Sequence, residues 1–271
     1  MRIAQLGTGK PELAIIGAVH GDEPCGVAAI DHLLESTPVV DRPVRLIVAN
    51  EAALEAGVRF IDADLNRSFD YVTPAAHEAP LAEKLRQAIK GMTVLSIHST
   101  RSTADPFAIV SGLDEGVGAI VSRLSVEAVV DAGPPSEGRI FDTTSTVIEV
   151  EAGRQGSEDA ARNAIRIAEE FLQATGALKG GREPIGHPLF ELGEAIQKPP
   201  ANRYAVHAKN FTRVEEGDVF ASADGEGILA DRTFWPILLS AGGYQDIFGY
   251  RGEKLGTVRQ VSDPPGRARP E

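Results

Sequence analysis

Apolar residues come in short runs along the first two thirds of the chain, separated by stretches with helical spacing. "ELAIIGAVH" reads as a buried strand, and "PCGVAAIDHLLES" as the helix that follows it. Pro24 suits a first helical turn, where its missing N–H costs nothing, and Asp22 is the expected N-cap. "VRLIVAN" is a second strand, with Asn50 placed to cap the short helix "EAALEAG". "APLAEKLRQAIKG" spaces its apolar residues for a helix that ends at Gly91. "MTVLSIHST", "PFAIVSG", "VEAVVDAG" and "TSTVIEVEAG" read as further strands, with a helix predicted over "LDEGVGAIVSRLS". "SEDAARNAIRIAEEFLQATGAL" is a long amphipathic helix. Strands alternating with helices predict an α/β fold around a mixed, largely parallel sheet.

The rhythm changes near "KGGREPIGHP". Beyond it lie short β-like pieces divided by Gly-containing turns: "RYAVHAKNF", "DVFASADGEGILA", "RTFWPILLS" and "YQDIFGYRG". The expected organisation is a larger α/β domain over 1–180, a small β-rich domain over 181–258, and a disordered tail over 259–271. No internal repeat is visible.

Composition narrows the classes. The 271 residues are 42% hydrophobic, enough for a substantial core. No apolar run reaches the ~18 residues that a membrane span needs. "MRIAQLGTGKPEL" lacks the apolar centre of a signal peptide, and Cys25 is the sole cysteine. A reducing, cytoplasmic setting is therefore expected. The net charge of −12, with 39 acidic against 27 basic residues, argues against nucleic acid as a partner. The basic residues are 20 Arg and 7 Lys, a bias that either salt adaptation or a GC-rich genome would produce.

The candidate chemistry starts at "AIIGAVHGDEPCG", where a strand ends in His20 and, three residues later, Glu23. At that spacing on an opening helix both side chains converge, as metal ligands would. A third ligand is needed, and His98 ends another apolar strand. In open α/β sheets, sites form at the carboxyl ends of strands, so the two ends are compatible with one centre. Each residue has a plain alternative. His20 could bond a nearby carbonyl, His98 could be a satisfied core histidine, and Glu23 could serve the helix dipole. Together, two strand ends and a spaced carboxylate favour a metal. His32, His77, His187 and His207 read as packing or surface histidines, and Cys25 as a small buried hydrophobe.

A second cluster, "GVRFIDADLNRSFD", holds Arg59, Asp62, Asp64, Asn66 and Arg67. Loop polarity explains some of it. Arg67 with Asn66 also suits carboxylate binding, because the guanidinium fork grips both oxygens.

"GAVHGDEPCG", "RFIDADLNRSF", "LSIHST" and "VIEVEAGRQG" together resemble the succinylglutamate desuccinylase/aspartoacylase family, a branch of the zinc carboxypeptidase-like hydrolases. The resemblance covers most of residues 13 to 156. It implies one Zn²⁺ per subunit on His20, Glu23 and His98. It implies that Arg59 polarises the scissile carbonyl, that Asn66 and Arg67 hold the substrate α-carboxylate, and that Glu149 is the catalytic carboxylate. Arg139 would meet a side-chain carboxylate, and Tyr244, with Tyr250 as its competitor, would cover the pocket. Glu151 shares the strand face with Glu149, so either can be the general base. The spacing from Glu149 to Gly156 fits the family and favours Glu149.

The implied activity is zinc-dependent removal of an acyl group, of succinyl or acetyl type, from an N-acyl amino acid carrying a carboxylate. A carboxypeptidase or amidase on short peptides would use the same residues, as would an esterase. A non-catalytic metal-binding relative is a further alternative.

Overall fold

The computed structural model describes residues 1–135, 137–143 and 145–258. The expected tail, 259–271, lies outside the described residues. The predicted strand–helix alternation is present. It runs β1 (Arg2–Leu6), β2 (Leu13–Gly17), α1 (Cys25–Ser36), β3 (Val44–Val48), α2 (Glu51–Ala56), α3 (Glu78–Ile89), β4 (Thr93–Thr100) and β5 (Phe107–Val110). It continues with α4 (Glu115–Val121), β6 (Val129–Asp131), β7 (Thr146–Arg154) and α5 (Glu158–Ala174). After α5 come β8 (Pro188–Gln197), β9 (Tyr204–Val206), β10 (Val219–Ala223), β11 (Glu226–Leu229), β12 (Trp235–Ile237) and β13 (Ile247–Thr257).

Among the described residues, ten strands form one sheet in the order β1-β3-β2-β4-β7-β5-β6-β8-β13-β12. The centre β3-β2-β4-β7 is parallel, as are β5-β6 and β6-β8, while β1, the β5–β7 pair and the β8-β13-β12 arm are antiparallel. β9, β10 and β11 form a separate antiparallel sheet. The central strands are buried along their length, so they read as continuous apolar runs. One face is covered by α1 and α5, where Leu33, Ile167 and Phe171 pack on Ile15, Leu95 and Ile148. The other carries α3, with Leu85 and Ile89 against Ile16, Val94 and Phe107. A third cluster, Phe220, Phe234 and Phe248, fills the β-rich part.

Two strands carry little sequence signal. β1 buries only Leu6, because it is an edge strand, and β8 mixes buried and exposed positions without a clean period. β8 joins β6 in parallel and β13 in antiparallel, so strands beyond residue 181 extend the same sheet.

The expected Asn50 cap is present, accepting from the Ala53 N–H, and Asp114 and Ser157 cap α4 and α5 in the same way, accepting from the Val117 and Ala160 N–H groups. The expectation for Asp22 does not hold. Pro24 occupies the cap position of α1 without a side-chain bond, and Asp22 leaves one carboxylate oxygen buried and unbonded.

Candidate metal and substrate site

His20, Glu23, His98, Glu149 and Glu151 meet at the carboxyl ends of three adjacent parallel strands, β2, β4 and β7. The first turn is made by close packing. Gly21 lies on α2, where an added Cβ would stand 2.1 Å from the Ala53 carbonyl carbon. Ala18 adopts a left-handed φ of 51°, which turns the chain out of β2. His20 and Glu23 converge in a tight turn before α1, held by Glu23 N–H to His20 C=O, rather than on the helix face that their spacing suggested.

The three expected ligands are brought together. Their donor atoms all lie within 4.8 Å of one another, and each residue is 4% exposed. His20 Nδ1 is 2.9 Å from Glu23 Oε1, and His98 Nδ1 is 3.0 Å from Glu23 Oε2. The outer ring nitrogens are also held: His20 Nε2 by Asp64 at 3.1 Å and His98 Nε2 by the Ser96 hydroxyl at 3.0 Å. This donor set fits a divalent cation. Two imidazoles and a carboxylate converge, and the outer nitrogens are oriented by a carboxylate and a hydroxyl. With protons alone, burial pulls the His20 imidazole down, but the Glu23 carboxylate and hydrogen bonds to Asp64 and Glu23 raise it to about 9. Burial pushes Glu23 up, and the two imidazoles overcome this and hold it low. The pair is therefore charged, and a bound cation would take the place of a proton.

Arg59 leans over this centre. Its Nε and one terminal nitrogen donate to Asp64 Oδ2 at 3.1 and 3.0 Å, and the other terminal nitrogen reaches Glu23 Oε1 at 3.2 Å. The loop that carries Arg59 is fixed by Glu78. This buried carboxylate accepts from the backbone N–H groups of Ile61, Asp62 and Ala63 and from Asn50 Nδ2, at 2.8 to 3.1 Å. Nothing in the polar segment around Glu78 marks it as functional in the sequence.

The two glutamates of β7 have opposite surroundings. Glu149 is gripped by Asn66 Nδ2 at 2.7 Å and Arg139 at 3.0 Å, and lies 3.6 Å from His98 Nε2, the nitrogen turned away from Glu23. Burial raises its carboxyl, but the Arg139 and His98 charges and the Asn66 bond hold it below its ordinary value. Glu151 pairs with His98 across the strands and lines a cavity of about 300 Å³ with His20, Glu23, Arg59 and Tyr244. One of its oxygens is buried without a partner. Burial, then the charges of Glu23 and Glu149, push its carboxyl up to about 7.

Asn66 and Arg139, expected at substrate carboxylates, thus hold the protein's own Glu149; the Asn66 oxygen also accepts from the Ile140 N–H. Arg67 spends one terminal nitrogen on the Asn66 carbonyl. Tyr244 stands in the cavity wall, with Tyr250 packed edge-on against it at 6.0 Å. Arg101, Gln155 and Ser99 line the same cavity and were not anticipated. The one available signal was that Ser99 and Arg101 follow His98 directly in "HSTR".

The model of the succinylglutamate desuccinylase/aspartoacylase catalytic domain matches residues 9–178. The chain belongs to this family. An N-acyl-aromatic-L-amino acid amidohydrolase (carboxylate-forming) from Xenopus laevis is 36% identical over 281 residues, spanning 90% of this chain and 87% of the relative. The match to aspartoacylase from Xenopus tropicalis is local: 43% over 61 residues, 21% of this chain and 20% of that protein. Among solved structures, murine aminoacylase 3 superposes with a TM-score of 0.74 at 22% identity, covering 93% of this chain and 98% of the other. An ectoine utilization protein from Ruegeria pomeroyi gives 0.75 at 20% identity, covering 92% and 88%. These likenesses establish the shared fold, a mixed, largely parallel sheet flanked by helices with a further antiparallel sheet. Among the described residues, no helix is long and apolar enough to cross a membrane.

Proposed function

We propose that this family member is a zinc-dependent hydrolase that releases an acyl group from an N-acyl amino acid, in a cytoplasmic setting. The observation that carries the reading is the meeting of His20, Glu23 and His98, the first two of which line a cavity shared with Arg59 and Glu151. Family membership and the amidohydrolase name of the long relative support it. One Zn²⁺ per subunit, held by the two Nδ1 atoms and the Glu23 carboxylate, would supply a Lewis acid that polarises the scissile carbonyl and acidifies water.

The remaining work falls to side chains. Glu151 lines the cavity, keeps one buried oxygen without a partner and has a carboxyl pushed up to about 7, so it can accept a proton from water and return it to the leaving amine. The sequence expectation gave this role to Glu149. Its oxygens are occupied by Asn66 and Arg139 at the far nitrogen of His98, which supports Glu151 instead. Arg59 holds Asp64 with one edge, and its other terminal nitrogen is the donor for charge developing on the carbonyl oxygen. Arg67 keeps donors for the substrate α-carboxylate, and Tyr244 covers the substrate. The products are a carboxylic acid and a free amino acid. A cavity of about 300 Å³ supports a small substrate over a peptide.

Metal analysis of the purified protein, followed by a screen of N-acetyl, N-succinyl and dipeptide substrates, tests the reading. The expected result is about one zinc per chain and turnover of N-acyl amino acids. A zinc-loaded protein that cleaves only dipeptides, or neither class, overturns it.

A further inference from the structure

Tyr244 reaches the cavity wall from a loop with little structure of its own. The loop joins β12 to β13 through "SAGGYQD". Gly242 and Gly243 are exposed, and no backbone hydrogen bond joins two residues of 241–246. Two cations hold the tip instead. Arg101, the residue after β4, donates through one terminal nitrogen to the Gly242 carbonyl at 3.2 Å and through Nε to Gln155 Oε1 at 2.7 Å. Gln155 donates in turn to the Asp22 carbonyl at 3.1 Å. Lys198, the residue after β8, approaches from the β-rich part. Its Nζ donates to two carbonyls of the loop, Ala241 at 2.9 Å and Tyr244 at 2.6 Å.

Lys198 is itself firmly seated. Its backbone N–H donates to the Asp246 carbonyl at 2.9 Å, and Pro199 and Pro200 follow it in the chain. The ammonium lies 5.0 Å from the centre of the Tyr204 ring and 5.7 Å from that of Phe248. The Tyr204 hydroxyl donates to the Pro199 carbonyl at 2.6 Å, which fixes that ring beside the lysine. Asp246 contributes charge to Lys198 without a hydrogen bond to it. The Ala241 and Tyr244 carbonyls therefore converge on one nitrogen. Two converging carbonyl dipoles repel unless a cation lies between them. An ammonium with three donors meets that need, and a neutral side chain of the same length does not. Resting on the reading in which Tyr244 covers the substrate, we propose that Lys198 is a positioning residue, gathering the two carbonyls and so holding the Tyr244 ring against the cavity. Lys198 stands outside both the cavity lining and the metal donor set, so its effect on turnover passes through Tyr244.

The test combines kinetics with chemical protection. Lys198→Met should lower kcat/KM for an N-acyl amino acid by roughly ten-fold, mainly through KM, and Lys198→Arg should recover most of the loss. Lys198→Gln, polar but uncharged, should behave as the methionine variant does, and it serves if that variant folds poorly. In a Tyr244→Ala background, Lys198→Met should cost nothing further. An equal loss in both backgrounds would show that Lys198 acts elsewhere and overturn the proposal. Nitration by tetranitromethane, read at each tyrosine of the zinc-loaded protein by peptide mass spectrometry, separates this role from the reading beneath it. Tyr244 should react several-fold faster in Lys198→Met than in wild type or Lys198→Arg, while the exposed Tyr71 reacts alike in all three. That result upholds the positioning role even if no N-acyl amino acid is turned over; an unchanged Tyr244 rate refutes it.

Discussion

The two sides of His98 differ more than their sequence neighbourhood suggests. On the Nε2 side, Glu149 is surrounded by donors and kept ionised. Glu151, opposite His98 on the neighbouring strand and in the cavity wall with Glu23, lies among carboxylates, with one oxygen unbonded and its carboxyl raised. Two identical side chains, two residues apart on one strand face, thus acquire different chemistry from their surroundings. The saturated carboxylate suits orientation, and the proton-hungry one suits acid–base work.

The largest expected effect breaks or upholds this contrast. Glu151→Gln should lower kcat by about 10²- to 10⁴-fold with zinc content unchanged, measured by steady-state kinetics beside metal analysis. If Glu149→Gln causes that loss and Glu151→Gln does not, the roles are reversed. On the ligand side, His98→Ala should abolish stoichiometric zinc; full retention would remove His98 from the donor set.

Acidity sharpens the comparison in the zinc-free protein. His20 is raised from 6.5 to about 9 on folding. Its stabilising contribution is therefore complete below about pH 6.5 and is lost as pH rises through about 9. Chelator-treated protein should lose on the order of 3 kcal/mol over that window, seen as a falling Tm. Zinc affinity should rise over the same window, because the ion displaces the proton. A Tm independent of pH between 6.5 and 9 would contradict the charged His20–Glu23 pair.

Smaller effects concern support. Glu149→Gln should cost roughly 1.5–3 kcal/mol of stability, since Arg139 loses its charged partner, with turnover reduced far less than in Glu151→Gln. Denaturant unfolding reads the first quantity and kinetics the second. Ser157→Ala, at the start of α5, should cost about 1 kcal/mol through its lost cap, read by denaturant unfolding.

Much of the fold was legible. β2, β4 and β7 are buried apolar runs and α5 forms the long helix its periodicity predicts, while His20 stands three residues past β2 and His98 near the end of β4 rather than as last strand residues. β1 and β8 were not, because an edge strand and a partly exposed one need little apolar patterning. His20, Glu23 and His98 could be named because metal chemistry demands particular residue types at strand ends. Glu78 and Gln155 could not, because each acts through backbone groups that chain order does not reveal.

The sequence by itself determined the elements, the alternation that makes a largely parallel sheet, and the residues that join at its carboxyl end. These follow from local periodicity and from the donor types that a cation requires. Only the tertiary structure decided which glutamate is free, which arginine is already paired, and which lacks a carboxylate partner. Partnering is set by side chains far apart in the chain: Asn66 and Arg139 for Glu149, Asp64 for Arg59, and Gln155 for Arg101. A carboxylate's proton affinity and a guanidinium's free donors depend on those neighbours.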